Sequence, residues 1–297
     1  MMYNDSTVLV LGAGASNPYG FPLGADLKQR IVGLCSNADS AECKQFVEAE
    51  LPKEQIQVFH TDLVRSIHGT IDAFLEDRPS HRDIGAFAIA HILMRLEDEQ
   101  SIFPGRDWYP ILFRDLKLRE VDKPSEISGI VTFNYDRSLE HYLTETARRT
   151  FEGTRRDAAL RKLHSIPIVH VHGMLGSYPE MPYKTTRSTG EIEKGAAGIS
   201  MVHDAHLDSA EEFKSANKLI EEAREVIFLG FGYDTRNLKR LGILNRDSLP
   251  VVRGTALGLE SAQAGEVKKL FNGRILLDNS GNTIENYLPH FRNLGHH

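Results

Sequence analysis

Thr7-Val8-Leu9-Val10-Leu11-Gly12-Ala13-Gly14-Ala15-Ser16 decides the fold of this chain. The run Val8 to Leu11 reads as a strand buried on both faces, and two glycines follow it within a short turn that continues to Gly20-Phe21-Pro22. Glycines there let backbone N–H groups approach a pyrophosphate, and a following helix would turn its positive end to the same anion. The expectation is a nucleotide at the mouth of a parallel sheet, with Gly12, Ala13, Gly14, Ser16 and Pro22 as its nearest residues.

The turn departs from the dehydrogenase fingerprint. Its spacing is Gly12-x-Gly14-x-x-Asn17, with Asn where a third glycine would permit close helix packing. An acidic residue about 20 positions on would be needed to hold a ribose hydroxyl. Positions near there carry only Cys35, Ser36 and Asn37. Ordinary hydride transfer is disfavoured, and a turn that merely joins strand to helix stays open as the alternative.

Composition narrows the class. The 297 residues are 41% hydrophobic and 26% charged, enough for one large α/β domain with an inserted module. No run of about 18 apolar residues is present to span a bilayer, and Met1-Met2-Tyr3-Asn4-Asp5 lacks the features of an export signal, so a cytoplasmic protein is expected. Cys35 and Cys43 sit eight positions apart in a segment that reads as helix, which builds neither a zinc site nor a disulfide framework, and no metal is expected. A formal charge of −6 without a basic, aromatic-interleaved stripe argues against nucleic-acid binding. The basic residues from Arg148 to Lys162 read as a solvated helix and loop.

Five further strands are legible: Ile130 to Phe133, Ile168 to Val171, Val226 to Leu229, Val251 onward to Leu257, and Ile275 to Leu277. Apolar runs alternating with helical patterns predict a six-stranded doubly wound, Rossmann-like parallel sheet formed by residues 1–34 and 125–297. Residues 35–124 are read as a helical insertion beside the sheet, with Val58, Leu63, Ile67 and Ile71, then Phe87, Ala90, Ile92 and Leu93, at helical spacing. The stretch 178–209, rich in Pro, Gly, Ser and Thr, reads as a loop. Glu211 to Arg224 reads as a crossover helix with Phe213, Ala216 and Ile220 on its buried stripe.

Ligands of a doubly wound sheet bind beyond the carboxyl ends of its strands. Those ends carry Asn134-Tyr135-Asp136, His172-Gly173 and Gly230-Phe231-Gly232-Tyr233-Asp234, so a carboxamide, a carboxylate and an imidazole should border one crevice. Glu260 and Ser261 after the fifth strand, and Asp278 and Asn279 after the sixth, are candidates for the adenosine end or simple turn residues.

This set resembles the sirtuin-type NAD-consuming domain. The opening glycine turn matches in order, Thr132-Phe133-Asn134-Tyr135-Asp136 is similar to the family's Thr-Gln-Asn-Ile-Asp, His172-Gly173 to its His-Gly, and Gly230-Phe231-Gly232 to its Gly-Thr-Ser. The resemblance implies NAD as substrate, Asn134 orienting a water molecule and the ribose, His172 as base, and Asp136 contacting the nicotinamide carboxamide. Residue by residue there is a plainer reading: Asp136 as a helix cap, Asn134 as a turn residue, and His170 as a core or supporting histidine beside His172.

Two departures from the family bear on the reaction. The four-cysteine zinc ribbon that helps form the acyl-peptide cleft of the deacylases is missing, and the family's Asp-Phe-Arg is replaced by Leu23, Gly24 and Ala25. The resemblance is thus to bacterial antiphage-defence sirtuin-like NAD hydrolases, which release nicotinamide and ADP-ribose. It implies a homo-oligomer formed through the helical insertion and control by a partner such as a HerA-type ATPase. The competing expectations are a non-catalytic sensor of NAD or an ADP-ribose derivative, and a deacylase or ADP-ribosyltransferase.

Overall fold

The computed structural model describes residues 6–37, 39–103, 107–199, 211–244 and 250–288. Among them six strands form one all-parallel sheet: β1 (Thr7–Leu11), β2 (Ile127–Thr132), β3 (Ile168–His170), β4 (Glu225–Leu229), β5 (Val251–Gly254) and β6 (Ile275–Leu277), in the order β3-β2-β1-β4-β5-β6. The order reverses between β1 and β4. There the chain leaves the sheet in opposite directions and opens a crevice at the strand ends. The register is tight along this seam, with Val8 opposite Val226 and Leu11 opposite Leu229. The Rossmann-like fold expected from the apolar runs is therefore what the chain adopts.

Successive strand residues point to opposite faces, and the two faces bury different cores. Leu9, Leu11, Ile130, Ile227 and Leu229 join the helices of the 35–124 segment in one cluster. Val8, Val10, Val131, Val226 and Phe228 join Phe213, Ala216, Ile220 and Phe271 in the other. The insertion does not stand beside the sheet; it covers one face of it. Its centre is the helix Arg82–Met94, apolar around its whole circumference and buried accordingly.

Three readings of the sequence need correction. In the helix Lys53–Arg65 the buried stripe is Ile56, Phe59 and Leu63, whereas Val58 is 54% and Ile67 96% exposed. The apolar spacing from Val58 to Ile67 ran across two different faces. Cys35 closes the helix Gly24–Cys35, and a break capped by Ser40, whose hydroxyl accepts from the Cys43 amide, separates it from the helix Ala41–Glu48 that carries Cys43. Both thiols are buried, and desolvation pushes Cys35 up to about 12. Finally, the stretch read as a loop contains the helix Thr189–Ala197, started by a reciprocal Ser188/Glu191 capping box. It docks on Arg82–Met94, with Gly195 against Met94, where a Cβ would stand 2.4 Å from the Met94 Sδ. Residues 200–209 of that stretch lie outside the described residues.

Candidate active site

A cleft of 580 Å³ opens at the carboxyl ends of the strands, over the point where the strand order reverses. That volume lies within the range of small-molecule sites. Gly12 and Ala13 after β1, Asn134 after β2, His172 after β3 and Gly232 after β4 all line it. A narrower recess of 60 Å³ shares Ala13 and Asn134 with the cleft and adds Ser16, Pro22 and Asp136. Four strand ends are thus brought together as the residue types suggested.

Asn134 is fixed from both its side chain and its backbone. Its Nδ2 donates to the Gly12 carbonyl and to Ser16 Oγ, each at 2.9 Å. A carbonyl can only accept, so this contact settles which end of the amide faces the turn and leaves Oδ1 as the atom available to the cleft. Behind it, His170 Nδ1 donates to the Asn134 carbonyl at 2.9 Å, and Nε2 meets Glu140 Oε1 at 2.6 Å. Desolvation pulls His170 down, but the Glu140 charge and these two hydrogen bonds outweigh it and hold its pKa above the ordinary value. His170 is a support for Asn134.

His172 is the opposite case. Its ring lies edge-on to Phe133 and Phe213, with centroids 5.2 and 5.9 Å away, and its Nδ1 is buried without a hydrogen-bond partner among the described residues. Desolvation, aided by the positive charge of Arg240 and opposed by Glu76 and Asp234, brings its pKa down to about 4. The imidazole is neutral at physiological pH and able to accept a proton.

Asp136 is fully enclosed. Its Oδ1 accepts from the Ser138 amide at 3.1 Å and from the Ser138 hydroxyl, and Ser16 also hydrogen-bonds to the carboxylate. Desolvation raises its pKa against these bonds. Besides lining the recess, it has a structural role. Its carboxylate binds the amide and hydroxyl of Ser138, the first residue of the helix Ser138–Thr150, and, through Ser16, holds the amide of Asn134 in place.

The glycine turn also works differently from expectation. A Cβ on Gly12 would stand 2.6 Å from the Gly230 carbonyl oxygen, and one on Gly14 2.8 Å from the Gly230 Cα. Gly14 N–H donates to that carbonyl and Ala15 N–H to Gly12, so two donors expected at a phosphate are spent within the protein. The helix after β1 is a single turn, Ala13–Ser16, and aligns few peptide dipoles. Gly14 and Gly230 therefore close the seam between β1 and β4 and line neither cavity. Gly173, at φ +77°, pairs with Ile199 and lies outside the cleft. Glu260 caps the helix Ser261–Leu270 through a reciprocal pair with Gln263, and neither it nor Ser261, Asp278 or Asn279 lines either cavity. Tyr233, buried with its hydroxyl donating to the Thr255 carbonyl at 2.9 Å, fills the space toward β5.

The other wall comes from the insertion, whose cleft-lining residues the sequence reading did not name as such. Ile67 to Thr70, Asp72, Ala73 and Glu76, all from the insertion, line the cleft. Asp72 lines both cavities; desolvation raises its pKa, partly offset by the Tyr135 hydroxyl that donates to it. Glu76 bridges Arg236 at 2.6 Å and Arg240 at 2.7 Å, both on the helix Thr235–Arg240 capped by Asp234. The signal was present as two pairs four residues apart, Asp72 with Glu76 and Arg236 with Arg240, each placing like charges on one helix face.

Comparison with family models gives no match to this chain, and comparison with curated proteins gives none either. Among the described residues no cluster of His, Cys, Asp and Glu has the arrangement of a metal site, and no helix is long and apolar enough to cross a membrane.

Proposed function

We propose that the chain is an NAD hydrolase, cleaving the nicotinamide N-glycosidic bond to release nicotinamide and ADP-ribose. One observation carries this reading: the carboxamide of Asn134 and a neutral His172, far apart in sequence, face one dinucleotide-sized cleft at the switch point of a Rossmann-like sheet.

The chemistry suits these groups. As the C–N bond breaks, its electron pair leaves with nicotinamide, which departs as a neutral base, and the ribosyl carbon takes on oxocarbenium character. Asn134 Oδ1 is an acceptor that can orient a water or a ribose hydroxyl, because Gly12 and Ser16 hold its Nδ2 in place. Water forms the new C–O bond and gives up a proton, which the neutral imidazole of His172 accepts and passes to solvent. The Phe133, Phe231 and Gly232 side of the cleft limits water near the reacting carbon. Arg236 and Arg240 supply the cationic side for the diphosphate, in place of the turn amides already bonded within the protein.

On this reading NAD is the substrate, and depletion of a cell's NAD pool in antiphage defence is the biological role, with control through self-assembly or a partner ATPase. The test is nicotinamide release from NAD by the purified chain. Release by the wild type, lost in both Asn134→Ala and His172→Ala, is expected. Activity surviving both substitutions refutes the assignment.

A further inference from the structure

Two arginines of the cleft wall share one carboxylate. Glu76, in the last turn of the helix Ile71–Asp77, reaches across from the insertion to Arg236 at 2.6 Å and to Arg240 at 2.7 Å. All three side chains line the cleft and keep contact with solvent, at 19%, 46% and 16% exposure for Glu76, Arg236 and Arg240. The contact is therefore open to an incoming ligand. It joins two distant pieces of the chain, one preceding β2 and one following β4.

The balance of charge makes this contact consequential. Asp234 also lines the cleft, 3.8 Å from Arg236. With Glu76 seated, two cations face two carboxylates, and this end of the cleft holds no surplus positive charge for an anion. Asp234 is committed where it stands, because its Oδ1 accepts from the amides of Arg236 and Asn237 at 2.9 and 3.1 Å. Glu76 has no such backbone contact among the described residues, and its partly exposed carboxylate can swing into water.

We propose that Glu76 is a resident counter-ion that a ligand must displace, and that this exchange makes the cleft selective for compounds carrying a diphosphate. A singly charged carboxylate swaps like for like and gains nothing. A diphosphate brings at least two negative charges and one phosphoryl group for each guanidinium. Arginines four positions apart on one helix hold their Cβ atoms about 5 to 6 Å from each other, and each planar fork takes two phosphate oxygens. The inference deepens the proposed NAD reading and rests on it for the identity of the diphosphate compound, whereas the exchange itself needs no turnover.

Inorganic pyrophosphate is the probe. Calorimetric titration of the full chain should show it binding, with acetate giving no signal at the same concentration. Glu76→Gln, which keeps the shape and removes the competing charge, should bind pyrophosphate about tenfold more tightly, the scale of one charge-assisted hydrogen bond. Asp77→Asn removes an equal charge one position away, on a side chain that is 58% exposed and paired with His68, and should change the affinity by about twofold or less because solvent and salt screen it. Equal gains in the two variants would reduce the effect to net charge, and no gain in Glu76→Gln would make the pair a strut between the walls; either result overturns the proposal. The wild type gives a readout that needs no variant. At pyrophosphate saturation the side-chain carboxyl carbon resonance of Glu76 should move to the position of a solvated glutamate, and an unmoved resonance overturns the exchange. Should NAD prove not to be a substrate, the hydrolase reading fails while these titrations still decide the role of Glu76.

Discussion

Gly230 lies against the backbone of Ala15 so closely that a Cβ at position 230 would stand 2.2 Å from the Ala15 nitrogen. Gly230 also sits at φ +57°, where a side chain is disfavoured. Two strand-end turns thus meet backbone to backbone beneath the cleft. Gly230→Ala should cost about 3 kcal/mol through clash and strain together. Equilibrium denaturation in urea checks it, and a midpoint equal to that of the wild type would show that the seam can relax.

His172 sets the acid limit. Its pKa in the fold is about 4, below the ordinary value near 6.5, so the neutral base persists on acidification well beyond the point where an exposed histidine is protonated. The acid limb of kcat/KM for NAD should fall near pH 4. The sign for stability follows. The unfolded chain takes up this proton first, so His172 removes stability as the pH drops from about 6.5 to about 4 and has no further effect below that. His172→Phe should flatten that part of the stability profile; an unaltered slope contradicts the assignment.

Arg236 and Arg240 share one carboxylate and face the cleft. Removing either cation should weaken NAD by about tenfold, the scale of one charge-assisted hydrogen bond, while leaving nicotinamide riboside, which has no phosphate, nearly unaffected. Binding calorimetry of both ligands to Arg236→Ala makes the comparison. Equal losses for the two would place the diphosphate elsewhere.

Glu97, Arg137 and Arg187 form a fully buried ionic triad in which Arg137 Nε and Nη2 grip both Glu97 oxygens at 2.9 and 2.6 Å. Arg137 also donates to the Met181 carbonyl at 2.8 Å, so the triad ties the segment before Thr189–Ala197 to the residue next to Asp136. Glu97→Gln strands two cations in the interior and should cost about 3 to 5 kcal/mol. A thermal midpoint within a degree or two of the wild type would show that the pair is not needed for stability.

Much of this was legible in the chain. Val8 to Leu11 and Val226 to Leu229 could only be doubly buried strands, and Asn134, His172 and Gly232 followed from standing just after strand ends. Gly14 and Glu260 were misplaced for a physical reason. A glycine that clears a ligand and one that clears a neighbouring turn look alike until the neighbour is known, and a carboxylate after a strand serves as a cap as readily as a contact. Asp72 and Glu76 share a helix face, but that pairing alone does not say where the insertion docks, and its docking decides that they wall the cleft. The hydrogen bonds from Ser16 and Ser138 to Asp136 were illegible, because no local pattern shows that its partners are serines of its own scaffold.

Because Leu9 and Leu11 of the sheet share one core with Phe46, Phe59 and Phe74 of the insertion, swinging the insertion outward would wet a large oily seam. The rim from Ser66 to Thr70 is far cheaper to displace: Lys28 secures it by reaching the carbonyls of Ser66 and His68 at 3.3 and 2.6 Å, and Ile67 is already in water. The cleft's entrance is thus a five-residue doorway with a lysine latch, and it can be opened without loosening the building.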